Sequence, residues 1–227
     1  MNATEAQHES KVRFLDAALQ VIRTKGYSAT RIEDICEAAG LTKGSFFHHF
    51  ATKEDLALAA AAHFAAMADG LFATAPYQKL ADPLERLLGY VDFRIAILQG
   101  PLPDFTCLLG TMVQETYDTH PDIRAACDTH ISAHAAQVAE VIAEAKRRYA
   151  PHAPWSAESL ALHIQAVLQG AFILAKARQG PRVAAECLQH LRRYIETQFT
   201  PTKEHEPWPA SRKSRLSSGS TTTPKRR

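Results

Sequence analysis

The feature of this sequence that most restricts its fold is a helical repeat of apolar residues along almost the whole chain. Apolar residues recur three or four positions apart, whereas the strict alternation of a half-buried strand is nearly absent. Proline and glycine separate one such segment from the next. The pattern predicts an all-α fold, with its later helices at about 83–99, 104–118, 121–149, 156–179 and 182–199.

The N-terminal part predicts four helices joined by tight turns. The first runs from about Glu9 to Thr24, and Gly26 follows as a left-handed terminator. Threonine hydroxyls accept hydrogen bonds from the free N–H groups of a first helical turn, so threonines mark the starts of the next three helices. These are Thr30 before 31–39, Thr42 before 43–50, and Thr52 before a helix that runs from Lys53 toward Gly70.

Composition and charge divide the chain into three parts. Of all residues, 46% are hydrophobic and 22% are charged, which is enough apolar material for a sizeable core. Residues 201–227 carry seven Lys or Arg against two Glu within a net charge of only +2, and they offer little to bury. We therefore predict an N-terminal domain at 1–55, a larger helical domain at 56–200 and a disordered basic tail at 201–227.

The same features predict a cytoplasmic protein. Met1 to Lys11 is polar, unlike a leader peptide, and no apolar stretch approaches the roughly 20 uninterrupted residues of a membrane span. The cysteines are widely spaced, at positions 36, 107, 127 and 187, which does not resemble the disulfide framework of a small secreted protein. Neither secretion nor a membrane partner is therefore expected.

Residues 30–56 have the pattern of a helix-turn-helix. The second predicted helix has an apolar stripe from Ile32 to Ala39, against which Phe46 and Phe50 of the third helix can pack. The opposite face of the third helix then stays free for hydrogen bonds to bases and phosphates in a major groove. That face carries Lys43, Ser45, Phe47, His48 and His49.

From about Phe14 to Leu56 the chain resembles the N-terminal domain of the TetR/AcrR family of repressors. The resemblance rests on Thr30, on Ala38-Ala39-Gly40, on Lys43-Gly-Ser-Phe-Phe-His-His-Phe50 and on Thr52-Lys-Glu-Asp-Leu56. It implies an N-terminal three-helix DNA-binding domain with a helix-turn-helix, followed by a larger helical ligand-binding and dimerisation domain. Carried over position by position, it assigns DNA contacts to Arg31, Thr42, Lys43, Gly44, Ser45, Phe47, His48, His49 and Lys53.

Within that set the resemblance implies different roles. Lys43 and His48 are the implied contacts to base edges, and Lys53 and Arg31 the implied contacts to phosphates. The family usually has tyrosine where this chain has Phe47, so a phosphate hydrogen bond through a hydroxyl is lost. Phe47 then either touches a thymine methyl or simply packs, and the alternative for the whole face is a solvated helix surface.

The resemblance also implies a homodimer through the last two helices, at about 156–179 and 182–199. The sequence adds its own support, because both segments have wide apolar stripes, and the small residues Ala166, Gly170 and Ala171 permit close helix approach. A twofold dimer would present two recognition helices to successive major grooves of a double-stranded DNA operator. The alternative is that these stripes form the core of a monomer.

A small-molecule effector is the second implied partner, and its site is predicted among apolar residues of the middle helices. Each of these residues is equally suited to an ordinary core position. His130 and His134 lie one helical turn apart but lack a third ligand, so neither a metal nor another cofactor is predicted. The candidate lining residues are Phe93, Ile97, Phe105, Cys107, Leu108, Met112, Tyr117, His134 and His163.

A narrower resemblance concerns the residues around Cys107 and Lys176. The run from Cys107 to Glu115, the acidic positions that follow it and the segment from Gly170 to Lys176 resemble a subgroup that includes sensors of electrophiles and oxidants. The resemblance implies a reactive thiol at Cys107, with the Lys176 ammonium stabilising its thiolate. The alternative is an inert cysteine in the core.

We therefore predict a DNA-binding repressor that is released from its operator by a small-molecule inducer. An activator, a redox-sensing repressor acting through Cys107, and a helical ligand-binding protein without DNA affinity remain alternatives. An enzyme is not expected, because the sequence has no Gly-rich phosphate loop, no Gly-x-Ser-x-Gly elbow and no paired carboxylates placed to cooperate.

Overall fold

The computed structural model describes residues 3–200, with side chains from residue 7, and it confirms the all-α prediction. Helices and turns, without any strand, account for this part of the chain, while the predicted tail at 201–227 lies outside the described residues. A short 3-10 helix covers Pro76–Lys79. The α-helices are α1 (Ala3–Lys25), α2 (Ile32–Ala39), α3 (Lys43–His49), α4 (Lys53–Ala73), α5 (Pro83–Ala96), α6 (Leu102–Phe105), α7 (Leu108–Thr116), α8 (Pro121–Tyr149), α9 (Ala157–Arg178) and α10 (Arg182–Phe199).

Helix boundaries follow the proline and glycine signals where these are strong. Both α8 and α10 have the predicted ends, whereas α1 begins at Ala3, earlier than predicted. The single helix predicted at 104–118 is wrong, because the chain forms α6 and α7 with a break at Thr106. Thr106 is buried, and its carbonyl accepts a hydrogen bond from Arg23 Nη1 at 3.2 Å. A contact with α1 therefore holds the backbone extended at the break.

Two of the three predicted threonine caps are confirmed. Thr42 Oγ1 accepts from the Ser45 N–H at 3.2 Å, and Thr52 Oγ1 accepts from the Asp55 N–H at 3.0 Å. The prediction that Thr30 caps α2 is wrong. Its buried hydroxyl donates to the Gly26 carbonyl at 2.5 Å, so it closes the loop after α1 and the next residue takes the N-cap position of α2.

The buried residues form two apolar cores, and α4 takes part in both. The N-terminal core combines α1 to α4 with α7 and the start of α8, and Phe14 and Phe46 are completely buried in it. The second core lies among α5, α8, α9 and α10. Because Leu56 belongs to the first core and Phe72 to the second, the predicted domain boundary after residue 55 falls inside one continuous helix.

Polar contacts also join the N-terminal helices to the body. Glu115 of α7 accepts a hydrogen bond from the backbone N–H of Ser28 at 2.8 Å, in the loop before α2. Arg23 of α1 reaches the break between α6 and α7. A hydrogen bond therefore links α7 directly to the loop that precedes the helix-turn-helix.

By length and composition, α4 and α9 are apolar enough to cross a membrane, with mean hydropathies of 1.6 and 1.4 over their most apolar windows. This differs from the expectation of no such stretch, and it arises from their alanine and leucine content. Each helix packs one face into the protein, with Ala57 and Ala60 on α4 and Ile164 and Leu168 on α9 completely or almost completely buried. Core helices commonly have this composition.

Candidate functional site

Helix α3 is held against α1 by aromatic side chains. Phe46 is completely buried, and its ring centroid lies 5.6 Å from that of Phe14 in an edge-to-face arrangement. Phe50, which caps the end of α3, makes a second such contact with Phe14 at 6.3 Å. Because these two anchors fix one side of a two-turn helix, the opposite side of α3 faces solvent. Their assignment to the core is confirmed.

That outer side carries Lys43, Gly44, Phe47 and His48, all of them exposed. The Phe47 ring is 55% exposed, which is unusual for a side chain of this size in a monomeric surface. Lys43 forms an ion pair with Glu33 of α2, so its ammonium is held beside the helix until another anion competes for it. The surface therefore offers one cation, one imidazole and one bare aromatic ring. Thr42 is also exposed, and Ser45 is partly buried at the edge of this surface.

His49 differs from the predicted arrangement. Its ring is partly buried, its Nε2 lies 2.7 Å from Ser10 Oγ, and it packs against Phe14 at 6.1 Å. Burial lowers the pKa of His49, and the charges of His48 and Lys11 lower it further. The structure thus turns this ring toward α1, because residue 49 follows the anchor Phe46 by three positions and so lies on nearly the same face of the helix.

The two predicted phosphate ligands have different surroundings. Lys53 donates to the carbonyls of Tyr27 at 3.1 Å and Thr30 at 3.0 Å, and burial lowers its pKa. Only one of its three ammonium hydrogens is left for a further acceptor. Arg31 is exposed and pairs with Asp34 at 3.1 Å. Both cations line one shallow cleft together with Lys43 and Phe47, so the cleft gathers three positive charges beside α3.

The helical body contains a cavity of about 400 Å³. It lies among the C-terminal half of α4, the 3-10 helix, α5 and α8. Its size falls in the range of small-molecule sites. The lining residues are Asp69, Phe72, Ala73, Tyr77, Gln78, Arg86, Leu87, Tyr90, His134, Gln137, Val138, Glu140 and Val141.

Two residues of the lining, Tyr90 and His134, form a polar cluster with Arg94. Arg94 Nε donates to Tyr90 Oη at 3.1 Å, and Arg94 Nη2 lies 3.0 Å from His134 Nε2. Tyr90 Oη is also 3.0 Å from that nitrogen. Burial, followed by the charge of Arg94, lowers the pKa of His134 to about 4. The imidazole is therefore neutral near pH 7.

Of the residues predicted to line an effector site, only His134 lies on this cavity. Phe93 packs behind its wall against Phe72 and Tyr77, Ile97 and Phe105 pack in the body core, and Leu108 and Met112 are completely buried in the N-terminal core. Tyr117 is 62% exposed. His163 faces outward, with its ring 5.0 Å from that of Tyr194. The structure therefore does not bring the predicted residues together at this cavity, and their role in binding an effector stays a prediction.

The aromatic residues that do line the cavity were missed for identifiable reasons. Phe72 and Tyr77 fall in residues 71–82, where no helix was expected and no periodicity drew attention to them. Tyr90 and Arg94 lie four residues apart on α5, a spacing that places them on one helix face. The spacing of this pair was a sequence signal from which the polar cluster could have been predicted. Nothing in the sequence indicated that His134 of α8 contacts this pair, because the two helices are distant in the chain.

Acidification is expected to destabilise the protein through His134. The folded-state pKa of about 4 lies below the ordinary 6.5, so between these values the unfolded chain binds a proton that the folded chain does not. Stability is therefore lost as the pH falls from 6.5 toward 4, by about 3 kcal/mol for this group. Urea titrations of the free energy of unfolding at several pH values measure this loss.

His134→Gln is the test variant, because the amide keeps a hydrogen-bond acceptor and does not titrate. Its stability is expected to depend less steeply on pH than that of the unchanged chain. His152→Gln, at an exposed position, is the matched control and should keep the full slope. An equal slope in the chain and in His134→Gln would rule out His134 as the source.

The outer side of α9 is an apolar surface without a partner in the described chain. Leu162 is 56% exposed, Ile173 is 48% exposed, and the small residues Ala166 and Gly170 lie between them. A Cβ atom added at Gly170 would meet nothing within 4 Å. Tyr194 of α10 extends this surface. Apolar side chains in such a row on one face commonly mark a protein interface.

Cys107 lies at the junction of the two cores and serves as the N-cap of α7. Its Sγ accepts from the Gly110 N–H at 3.4 Å, and the side chain is partly buried. Lys176 Nζ donates to Thr111 Oγ1 at 2.7 Å, one turn along the same helix. Burial lowers the pKa of Lys176, while the charges of Cys107 and Glu115 oppose that shift. All four cysteines are free.

Comparison with known proteins gives matches to both parts of the chain. Residues 14–60 match the family described as bacterial regulatory proteins, tetR family, and residues 83–191 match the tetracyclin repressor-like C-terminal domain. The chain is similar to the transcriptional regulator AcuR of Cereibacter sphaeroides, at 30% identity over 77% of this chain and 78% of AcuR. The match to the regulator CymR of Pseudomonas putida is 46% identical but spans only 24% of this chain and 27% of CymR.

A solved structure gives the same result for the fold. The regulatory protein TetR from Rhodobacter sphaeroides superposes with a TM-score of 0.73 at 26% identity, over 85% of this chain and 98% of that one. The family matches cover the helix-turn-helix and most of the body, including α9 and the part of the cavity wall that α5 and α8 form. The chain therefore belongs to the TetR family of transcriptional regulators.

Proposed function

We propose that this chain is a repressor that binds a near-palindromic DNA operator through α3. The observation that carries the proposal is the anchoring of α3 by Phe46 and Phe50, which leaves Lys43, Phe47 and His48 exposed on a rigid helix. Polar and cationic groups on such a helix suit the major groove, and the neighbouring Arg31 and Lys53 suit phosphates. Regulation of transcription without catalysis is general for the family.

A gel shift with DNA flanking the chain's own gene tests this function. The protein is expected to retard one such fragment in the presence of excess unrelated DNA, at a stated salt concentration. A helical ligand-binding protein without DNA affinity would retard none. A reporter gene placed behind the bound fragment distinguishes repression from activation, since a repressor lowers expression and an activator raises it.

We propose that the functional unit is a homodimer formed through α9 and α10. The exposed apolar row from Leu162 to Ile173 supports this, since burying it against the same row of a second copy would remove it from water. A twofold axis there makes the interface self-complementary, and it gives the operator two equivalent half-sites. The proposed location of the dimer is the cytoplasm.

We propose that a small-molecule inducer binds the cavity between α4, α5 and α8. The cavity is supported as the site by its volume of about 400 Å³ and by the convergence of apolar rings with a few polar groups. Its wall includes Phe72 on α4, a helix whose other end carries Lys53 beside α3. An inducer that moves the C-terminal end of α4 would therefore move the DNA-binding helices.

Redox sensing through Cys107 is a second candidate, favoured by the surroundings of its sulfur. Arg23 and Lys176 both interact electrostatically with Cys107, and the N-terminal end of α7 adds a partial positive charge. Reactive cysteines commonly lie in partly buried surroundings of this positively charged kind. In this reading, oxidation of the thiol would replace or supplement the inducer.

Mild treatment with benzoquinone, followed by mass spectrometry, tests this candidate. Cys107 is expected to be modified at least about tenfold faster than Cys127, because Cys127 is completely buried and burial raises its pKa to about 12. Cys187 is also partly buried, but no interaction with a Lys or Arg side chain is described for it. It therefore serves as the matched control. Equal modification of Cys107 and Cys187 would remove the redox candidate.

A further inference from the structure

The cation Arg94 contacts two residues of the cavity lining, Tyr90 and His134, and has no carboxylate partner among the described side chains. Its guanidinium carbon lies 4.2 Å from the centroid of the Phe72 ring, and its assigned hydrogen bonds go to Tyr90 and His134. Among the side chains of residues 7–200, no Asp or Glu oxygen lies within 4.0 Å of its nitrogens. Aromatic faces and neutral acceptors offset only part of the cost of burying a charge. The positive charge is therefore left for another anion.

The positions of the hydrogens in this cluster determine which of its atoms can donate a hydrogen bond to a ligand. Arg94 Nη2 is always a donor, so the Nε2 atom of His134 must accept and its Nδ1 atom must carry the hydrogen. That Nε2 atom has a single lone pair, already directed at Arg94. The Tyr90 hydroxyl hydrogen must then either share this lone pair or turn into the cavity. Both residues line the cavity, so an acceptor bound there can compete for the hydrogen of the Tyr90 hydroxyl.

The acidic residues at the cavity do not cancel the attraction of this cluster for an anion. Asp69 and Glu140 also line the cavity, but both side chains are exposed, and salt screens exposed charges over about 8 Å. The remaining cation of the lining, Arg86, is already paired with Glu144. The partly buried Arg94 is screened less than any of these groups. An anion at the Tyr90 end of the cavity is therefore favoured over a cation.

We propose that the cavity takes a small planar organic monocarboxylate as its effector. The carboxylate would accept hydrogen bonds from Tyr90 and His134 in the field of Arg94. The apolar part of the ligand would lie against Phe72 and Tyr77, whose rings pack close to Tyr90. The inference rests on the proposed inducible function and specifies the chemistry of its inducer.

Calorimetric titration of the full-length protein without DNA tests this ligand class. The probes are benzoate, cinnamate and phenylacetate, each compared with its neutral amide, and benzylamine as a cation of similar shape. Each acid that binds is expected to bind about tenfold tighter than its amide, because hydrogen bonds to a charged group are the stronger ones. Equal affinity of acid and amide, tighter binding of benzylamine, or no binding of any acid at millimolar concentration would overturn the proposal.

Two variants locate the binding to this cluster. Tyr90→Phe keeps the ring and removes one donor, so it is expected to weaken binding of the acid about tenfold and to bring its affinity close to that of the amide. Arg148→Gln is the matched control, because it removes a paired cation of α8 that lies outside the lining of the cavity. It should change the affinity less than about twofold. The reverse ranking of these two variants would place the anion elsewhere and overturn the proposal.

A gel shift with the bound acid separates this inference from the proposed function. Release of DNA by the acid supports both. Binding of the acid without release of DNA supports the ligand class and contradicts induction through this cavity. Release of DNA by a neutral or cationic compound, with no binding of the acids, supports induction and overturns the ligand class.

Discussion

A chain with both Lys43→Ala and His48→Ala is expected to bind its operator about 100-fold or more weakly than the unchanged chain. Each lost contact to a base edge costs about 1–3 kcal/mol, and a dimer loses every contact twice. Both side chains are exposed on α3 and outside the aromatic anchor, so the fold should be unchanged. Quantitative gel shifts at constant salt measure the loss, because removing a cation also lowers the salt dependence.

Two controls separate base contact from loss of charge or of local structure. Lys79→Ala removes an exposed lysine from the 3-10 helix of the body and should leave the affinity almost unchanged. Glu33→Gln breaks the same ion pair as Lys43→Ala but keeps the cation, so it should preserve or raise the affinity. If the double variant still bound the operator as tightly as Lys79→Ala does, α3 would not be the recognition helix.

Leu162→Glu combined with Ile173→Glu is expected to convert the protein to a monomer. Each substitution would place an unpaired carboxylate in an apolar interface, at a cost of about 3–5 kcal/mol, and the twofold axis repeats it. The dimer dissociation constant should rise about 1,000-fold or more. Sedimentation equilibrium measures this directly, since the monomer has a mass of 25.0 kDa.

The variant should keep its helical content, because both positions are exposed in the single chain. Operator binding should fall with dimerisation, since one subunit contacts only a half-site. Leu80→Glu serves as the control, because Leu80 is an exposed leucine (38% exposed) outside α9 and α10. A dimer that persists in the double variant would mean that α9 does not form the interface.

The parts of the fold that follow from local chemistry could be predicted from the sequence. The caps Thr42 and Thr52 depend on hydrogen bonds within one helical turn, and Pro121 begins α8 where the prediction placed it. The anchor Phe46 follows from the spacing of apolar residues along α3. For the caps, the interacting groups lie within a few residues of one another, and for Phe46 the signal is the local spacing of apolar residues.

The features that depend on distant parts of the chain could not be predicted in this way. The break between α6 and α7 is held by Arg23, which is 83 residues from Thr106 in the sequence. The cavity brings Phe72, Tyr90 and His134 together from three helices, and no local pattern marks that meeting. His163 was predicted to line a binding site, but its side chain is exposed. Because α9 is apolar on two sides, the periodicity of the sequence did not indicate which side faces the core.

The shared N-terminal core restricts how such a regulator can change over evolution. Met112, Ile123 and Cys127 belong to the body, yet all three are completely buried beneath the helices that carry the DNA-reading surface. A graft of residues 1–55 onto an unrelated body would leave that core open on one side. Residues that line the cavity can change to suit new effectors. The three core positions, in contrast, must continue to pack against N-terminal helices that are distant from them in the sequence.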